Sequence, residues 1–194
     1  MSTDNEIESV LSFWFRFDEA GKPVSKHWWT KSNEFDQEIR LKFVGHWQSA
    51  MTGKLCDWEK TPRGCLALIT LLDQLSRNMF RNNAGSFSSD QEAIRVAKLA
   101  ITKGFDMELP LHQRSLIYMP FMHSENIVDH NDYGIPCFDK VAEADTYYES
   151  MKQYMNKHYE IVKKWGRYPH RNCILNREST PEEIEFLAQP GSSF

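Results

Sequence analysis

Apolar residues recur at helical spacing along most of this chain. No segment shows the alternation of apolar and polar residues between hairpin turns that indicates a β-strand. A repeat of three to four residues places apolar side chains on one face of a helix. The clearest repeat has a large apolar residue at every fourth position: Phe35, Ile39, Phe43, Trp47 and Met51. The pattern therefore predicts an all-α fold.

Capping residues divide the pattern into seven helices. Thr61 followed by Pro62 has the form of an N-cap and a proline at the first helical position. Ser89 and Glu92 have the spacing of a capping box before the fourth helix. The last helix begins in the same way at Thr180, with a proline and then a glutamate. The predicted helices cover residues 6–15, 33–51, 62–81, 93–102, 110–122, 136–165 and 181–189.

Prolines and glycines set the remaining boundaries. Pro120 should kink or end the fifth helix, because proline removes a backbone hydrogen bond and clashes with the preceding turn. Pro136 opens a long helix that Gly166 ends. Short polar loops between the helices favour antiparallel neighbours. We therefore expect a single all-α domain over residues 1–194, in which residues 184–194 end in a frayed tail.

Composition limits the possible partners. The chain has 194 residues, a net charge of -4 and 41% hydrophobic residues, enough for one domain with a sizeable core. The acidic balance argues against nucleic acid as a partner. No apolar run reaches the roughly 18 residues that a membrane span needs, and the first twenty residues lack a signal-peptide pattern. The four scattered cysteines indicate free thiols. These features predict a cytoplasmic protein without a cofactor.

The central predicted helix carries an unusual polar arc. Its first half is apolar on every side, as in a buried helix. At 100° per residue, five polar side chains of its second half fall on one side, opposite Leu72, Leu75, Met79 and Phe80. Such an arc is either a solvated end or the wall of an internal polar site. The five residues are Asp73, Gln74, Arg77, Asn78 and Arg81.

A loop after Gly166 concentrates basic residues beyond the end of the long helix. Arg167, His170, Arg171 and Arg177 lie there within eleven residues. Guanidinium groups bind carboxylates and phosphates in a bidentate manner, so the loop could hold such an anion. Arginines also bridge helix ends and loop carbonyls in purely structural roles. Arg77 and Arg81 would join this loop if it packs against the central helix, with Asp73 orienting one of them.

His123 and Glu125 follow the interruption at Pro120. They could form an acid–base pair, or ligate a metal together with His158 or His170. The chain has no H-E-x-x-H or similar zinc spacing, so we predict no metal site. Ser124 lacks the G-x-S-x-G context of a catalytic serine.

Two adjacent aromatic residues stand out in the loop after the first helix. Trp28 and Trp29 are either a lid on the core or a stacking platform for a base or sugar. The lid is the simpler interpretation.

Three segments resemble the signature blocks of a family of mainly bacterial proteins, the domain-of-unknown-function family numbered 924. The segments are Leu71–Arg81, Tyr118–Glu125 and Gly166–Asn172, and 10–15 and Trp58 resemble the family too. The resemblance implies a tetratricopeptide-like helical fold without an established activity. Asn176 and His130 depart from the family pattern, which usually has glycine and glutamine there.

Two functions from different classes fit these features. The first is an internal polar pocket for a small anionic ligand, in which His123, Glu125 and His170 are candidates for proton transfer. The sequence does not decide whether a reaction follows. The second is a tetratricopeptide-like module that binds a peptide or protein through a terminal carboxylate. The predicted ligand-binding residues are Asp73, Gln74, Arg77, Asn78, Arg81, Arg167, Arg171, Asn172 and Arg177.

Overall fold

Helices dominate the computed structural model, which describes residues 3–17, 23, 24, 28 and 30–193. Two turns of π-helix also occur, at Thr70–Leu75 and His130–Gly134. The α-helices are α1 (Thr3–Trp14), α2 (Asn33–Met51), α3 (Pro62–Ile69), α4 (Ser76–Met79), α5 (Asp90–Thr102), α6 (Leu111–His123), α7 (Ile127–Asp129), α8 (Ile135–Ala144), α9 (Glu149–Trp165) and α10 (Pro181–Leu187). The 3₁₀ turns are Cys56–Lys60, Ala84–Phe87, Phe105–Glu108, Thr146–Tyr148 and Pro169–Arg171.

The all-α prediction is confirmed, while the tetratricopeptide-like architecture and the single domain stay predictions. One small feature departs from the all-α prediction: β1 (Arg16–Phe17) pairs with β2 (Pro23–Val24) in antiparallel orientation. Two residues a strand are too few to show an alternating pattern, so the sequence did not predict them. Within the described ranges, no helix combines the length and apolarity needed to cross a bilayer.

Two of the predicted helix starts have the expected hydrogen bonds. Thr61 accepts a hydrogen bond from the backbone N–H of Gly64 at 3.1 Å. Thr180 and Glu183 form a reciprocal capping box at the start of α10. Both caps satisfy backbone donors that a helix start leaves open. Local sequence therefore sets these two boundaries.

The capping box predicted at Ser89 and Glu92 is wrong. The Ser89 hydroxyl makes no cap hydrogen bond. It donates instead to the Leu72 carbonyl at 2.6 Å and accepts from the Trp47 indole at 3.1 Å. Glu92 turns outward to Arg95. Because Ser89 is fully buried, its hydroxyl serves tertiary contacts between helices rather than its own helix.

The helix predicted over residues 136–165 is two helices. Asp145 adopts an extended backbone with φ -155° and ψ 118°, and its side chain accepts from the Tyr147 N–H at 2.9 Å. Aspartate competes with helix continuation by making such local hydrogen bonds. Pro120, by contrast, does not end α6, which continues to His123.

The chain divides into two units, and each has its own apolar core. Unit 1 comprises Met1–Arg81 and Gly85–Pro120, and unit 2 comprises Asn82–Ala84 and Phe121–Phe194. In unit 1, α3 packs on α1 and α5; in unit 2, α8 packs on α9. Fully buried side chains of unit 1 include Val10, Ile39, Leu66, Ile69 and Val96. Those of unit 2 include Phe121, Phe138, Val141, Met155 and Tyr168.

The end of the chain folds back on the last helix. Ser192 is buried and donates to the Leu187 carbonyl at 3.0 Å. This contact gives the described part of the tail, up to residue 193, a fixed partner.

Candidate functional site

Both π turns carry fully buried polar side chains. Asp73 lies in the π turn of unit 1 and His130 in that of unit 2, and both are 0% exposed. A π turn inserts an extra residue into a helix and is frequently found at functional sites. The helical wheel assumed 100° per residue throughout, so the sequence analysis missed both insertions.

In unit 1, Arg77 lies between two carboxylates. Its Nη2 is 3.3 Å from Asp73 and 3.0 Å from Asp90. Its Nη1 donates to the Ser86 carbonyl at 2.8 Å. Gln74 also donates to Asp73. The guanidinium thereby compensates two buried acidic groups, of which the sequence analysis missed Asp90.

The rest of the polar arc is held by an aspartate of α2 that the sequence analysis also missed. Arg81 donates to Asp36 through both Nε and Nη2, the latter at 2.8 Å, and Asn78 donates to it at 2.7 Å. Burial acts to raise the pKa of Asp36, but these hydrogen bonds outweigh it and lower that pKa. Asp36 sits in the first turn of α2, where an acidic residue is common, so its position alone gave no functional signal.

In unit 2, the second and third predicted blocks come together. The Tyr168 backbone N–H donates to Glu125 at 2.8 Å. Arg177 binds the same carboxylate through both terminal nitrogens, at 2.6 and 2.9 Å. Arg171 donates to the His123 carbonyl at 2.9 Å. These contacts join the loop after α9 to the end of α6.

Glu183 anchors the outer side of the same loop. Arg167 binds its two carboxylate oxygens, each at 2.8 Å, and Asn172 donates to it at 3.2 Å. The Arg167 hydrogen bonds are the main cause that lowers the pKa of Glu183 to about 2. The sequence analysis identified Glu183 only as a capping residue, although it also orients two predicted ligand-binding side chains.

Three histidines and Tyr168 form a continuous series of ring contacts in unit 2. The ring centroids of His123 and His158 are 6.3 Å apart, those of His158 and Tyr168 5.7 Å, and those of Tyr168 and His170 5.5 Å. The Arg171 guanidinium lies 4.6 Å from the centre of the Tyr168 ring. His158, Tyr168 and Arg171 are buried, whereas His123 and His170 are half-buried. We call these five residues the His–Arg cluster.

Two buried histidines of unit 2 donate hydrogen bonds to backbone carbonyls. His158 Nδ1 lies 2.7 Å from the Tyr154 carbonyl, and His130 Nε2 lies 2.7 Å from the Ser124 carbonyl. A carbonyl only accepts, so each of these nitrogens carries the proton. Burial, followed by the neighbouring His123, lowers the pKa of His158 to about 3. Burial also lowers the pKa of His130.

The surroundings of Ser124 do not suit a nucleophile. Its hydroxyl donates to Asp129 at 2.7 Å and accepts from the Asn126 N–H at 3.0 Å. A catalytic serine usually donates to a histidine that takes up its proton and that a third group orients. The hydroxyl therefore holds the turn that leads into α7. Among the described residues, no three His, Cys, Asp or Glu side chains are placed to hold a metal ion.

Trp28 packs on the first helix. Its ring stacks on Trp14 with centroids 5.6 Å apart, and its indole donates to the Trp14 carbonyl at 3.0 Å. Trp29, the second half of the predicted platform, lies outside the described residues. The contacts of Trp28 agree with the lid interpretation.

Known proteins provide a family and a similar fold. Residues 10–191 match the family described as "Bacterial protein of unknown function (DUF924)". The chain belongs to the DUF924 family. A solved protein of unknown function from Agrobacterium tumefaciens is 32% identical, with a TM-score of 0.82. The similarity covers 96% of this chain and 99% of that one. No curated protein matches this DUF924 chain.

Proposed function

We propose that the His–Arg cluster of unit 2 binds a small anionic ligand, a carboxylate or a phosphate. The observation that carries the proposal is that two guanidinium groups, Arg171 and Arg177, act on the single carboxylate of Glu125. Arg177 takes both oxygens of that carboxylate. Arg171 also donates to the His123 carbonyl and is only 6% exposed. Two positive charges beside one carboxylate favour the binding of an added anion.

Two half-buried histidines make part of the cluster accessible to such an anion. His123 and His170 are half-buried, whereas His158 and Tyr168 are buried. We assign His123 and His170 as proton donors to the bound ligand if it is turned over.

Glu125 has a positioning role in this proposal. Burial acts to raise its pKa, but hydrogen bonds from Arg177 and the Tyr168 N–H, with the charge of Arg171, lower it overall. An ionised carboxylate fixed by these donors orients Arg177 and the loop. Arg167 and Asn172 hold the same loop through Glu183.

The polar arc of unit 1 has a structural role here. Arg77 pairs with Asp73 and Asp90, and Arg81 pairs with Asp36. Paired in this way, they stabilise buried carboxylates, which is the structural alternative for arginines. The ligand proposal therefore rests on unit 2.

The test is calorimetric titration of the full chain with inorganic phosphate, glycerol phosphate and succinate. We expect at least one to bind, and Arg171→Gln to weaken binding about tenfold, as the loss of a charged hydrogen bond implies. Lys152→Gln, which removes a half-buried positive charge of the same unit that pairs with Asp139, should change binding less than about twofold.

Three results would contradict the proposal. None of the anions binds, Arg171→Gln binds as the wild type does, or Arg171→Gln and Lys152→Gln weaken binding equally. Thermal unfolding of Arg171→Gln, and of Arg171→Lys as a charge-preserving variant, shows whether lost binding reflects lost folding. A peptide with a free carboxyl terminus is titrated in parallel. Binding of that peptide without any small anion would favour the interaction module.

A further inference from the structure

Unit 1 contains a cleft that the predicted site does not include. It lies where the first turns of α1, α3 and α6 come together, and its volume is about 530 Å³, within the usual range for small-ligand sites. The lining residues are Asp4, Ile7, Glu8, Thr61, Pro62, Arg63, Glu108, Leu109, Pro110 and Gln113. We call it the amino-terminal cleft.

The amino-terminal cleft carries uncompensated negative charge. Its one arginine, Arg63, is bound by Glu8 through two contacts of 2.6 Å. Asp4 and Glu108 form no ion pair within the described part of the chain. The nearby Arg114 donates to backbone carbonyls, including that of Leu109 at 3.3 Å. The lining side chains thus leave two negative charges without a protein cation.

A buried amide in the wall of the cleft lacks a hydrogen-bond donor for its oxygen. Gln113 is 9% exposed, and its Oε1 accepts no hydrogen bond from the residues that the structure describes. A buried acceptor without a donor is unfavourable. Because Oε1 itself has almost no accessible surface, the amide has to rotate toward the cleft, where an N–H donor then supplies the hydrogen bond that it lacks.

The remaining lining is apolar. Ile7 and Leu109 are 4% and 5% exposed, and Pro62 and Pro110 complete the surface. A short alkyl chain fits against such side chains. Carboxylates, an amide acceptor and an apolar wall together match an alkylammonium ion rather than a hydrated metal ion.

We propose that the amino-terminal cleft binds a linear aliphatic diamine. One ammonium group pairs with Asp4, the other pairs with Glu108, and one of them donates to Gln113. The methylene chain packs on Ile7 and Leu109. The helix starts at the cleft carry positive partial charge that favours anions, but Thr61 already caps α3. For a dication, attraction to the full charges of the two carboxylates outweighs repulsion by these partial charges.

The test is calorimetric titration of the full chain with 1,4-diaminobutane at low ionic strength, where screening is weakest. We expect saturable binding at one site. The double variant Asp4→Asn, Glu108→Gln should weaken it about tenfold, as the loss of two exposed ion pairs implies. Gln113→Leu should weaken it separately. Glu6→Gln is the matched control, because Glu6 is an acidic residue in the first turn of α1 outside the cleft.

Three outcomes would overturn the proposal. The diamine shows no saturable binding, Glu6→Gln weakens binding as much as the double variant, or succinate binds in the cleft and the diamine does not. The second outcome would indicate general attraction to an acidic surface. The third would indicate that the helix starts dominate. Asp4 and Glu108 are exposed, so the double variant should fold, and its thermal unfolding checks this.

Discussion

Arg177 donates to the Glu125 carboxylate through both of its terminal nitrogens, although 52 residues separate the two in the chain. The pair connects the loop after α9 with the loop after α6. Both side chains are about one quarter exposed, at 24% and 27%. The contact is therefore screened less than a surface ion pair, and it fixes the base of the His–Arg cluster.

Glu125→Gln should lower the free energy of unfolding by about 2 kcal/mol, because the charge of Arg177 loses its partner in a partly buried site. Urea unfolding monitored by circular dichroism measures the change. A double-mutant cycle with Arg177→Gln isolates the pair, and we expect a coupling of at least about 1 kcal/mol. Additive effects of the two substitutions would contradict the assignment.

Stability should fall as the pH drops below neutrality. The unfolded chain protonates His158 near pH 6.5, whereas the folded chain keeps it neutral down to about pH 3. The unfolded state therefore binds more protons in this window, so stability rises with pH between these values. Between pH 6.5 and pH 5, His158 alone should cost about 2 kcal/mol.

Urea unfolding at several pH values between about 7 and 5 measures this slope. His158→Asn keeps a donor near the Tyr154 carbonyl but does not titrate, so its slope should be shallower. His46→Gln, at a half-buried position of α2 in unit 1, serves as the control. An unchanged slope in His158→Asn would show that other groups cause the acid sensitivity.

Gly64→Ala should destabilise the protein by about 3 kcal/mol, the upper range for overpacking. A Cβ at this position would lie 2.0 Å from the Trp58 carbonyl oxygen, so the backbone of the Cys56–Lys60 turn would have to move. At Gly45, within α2, a Cβ meets nothing within 4 Å. Gly45→Ala should therefore stabilise the helix by up to about 1 kcal/mol. Chemical denaturation of both variants tests the contrast in sign, and equal effects would contradict it.

Ser89→Ala should cost about 2 kcal/mol, because the buried Leu72 carbonyl and Trp47 indole both lose a partner. Glu92→Gln should cost less than about 0.5 kcal/mol, because its contact with Arg95 is exposed. A capping box would make the two substitutions comparably costly. Thermal unfolding of the two variants distinguishes these cases, with the larger shift expected for Ser89→Ala.

Local sequence predicted the elements whose signals are local. The N-caps at Thr61 and Thr180 are confirmed, since each satisfies a backbone donor within three residues. The helix end at Gly166 is confirmed by its positive φ value of 67°. The family resemblance also held, because its blocks are continuous segments.

Tertiary contacts decided the partners of the polar residues. Residue types indicated that Arg77, Arg81 and Arg167 are notable. Their partners Asp90, Asp36 and Glu183 lie 13, 45 and 16 residues away in the chain and look like ordinary helix-start acids. Their role depends on which helices pack together, and a single sequence does not encode that in any local pattern.

The sequence by itself therefore determined the helical class, most helix boundaries and the residues with unusual chemistry. Only the tertiary structure decided that the arginines of the central polar arc pair with carboxylates of other helices, and that three histidines and Tyr168 form a series of ring contacts. The physical reason is the distance along the chain over which each interaction acts. Backbone capping and apolar periodicity act over a few residues, whereas burial and ion pairing depend on distances that folding alone sets.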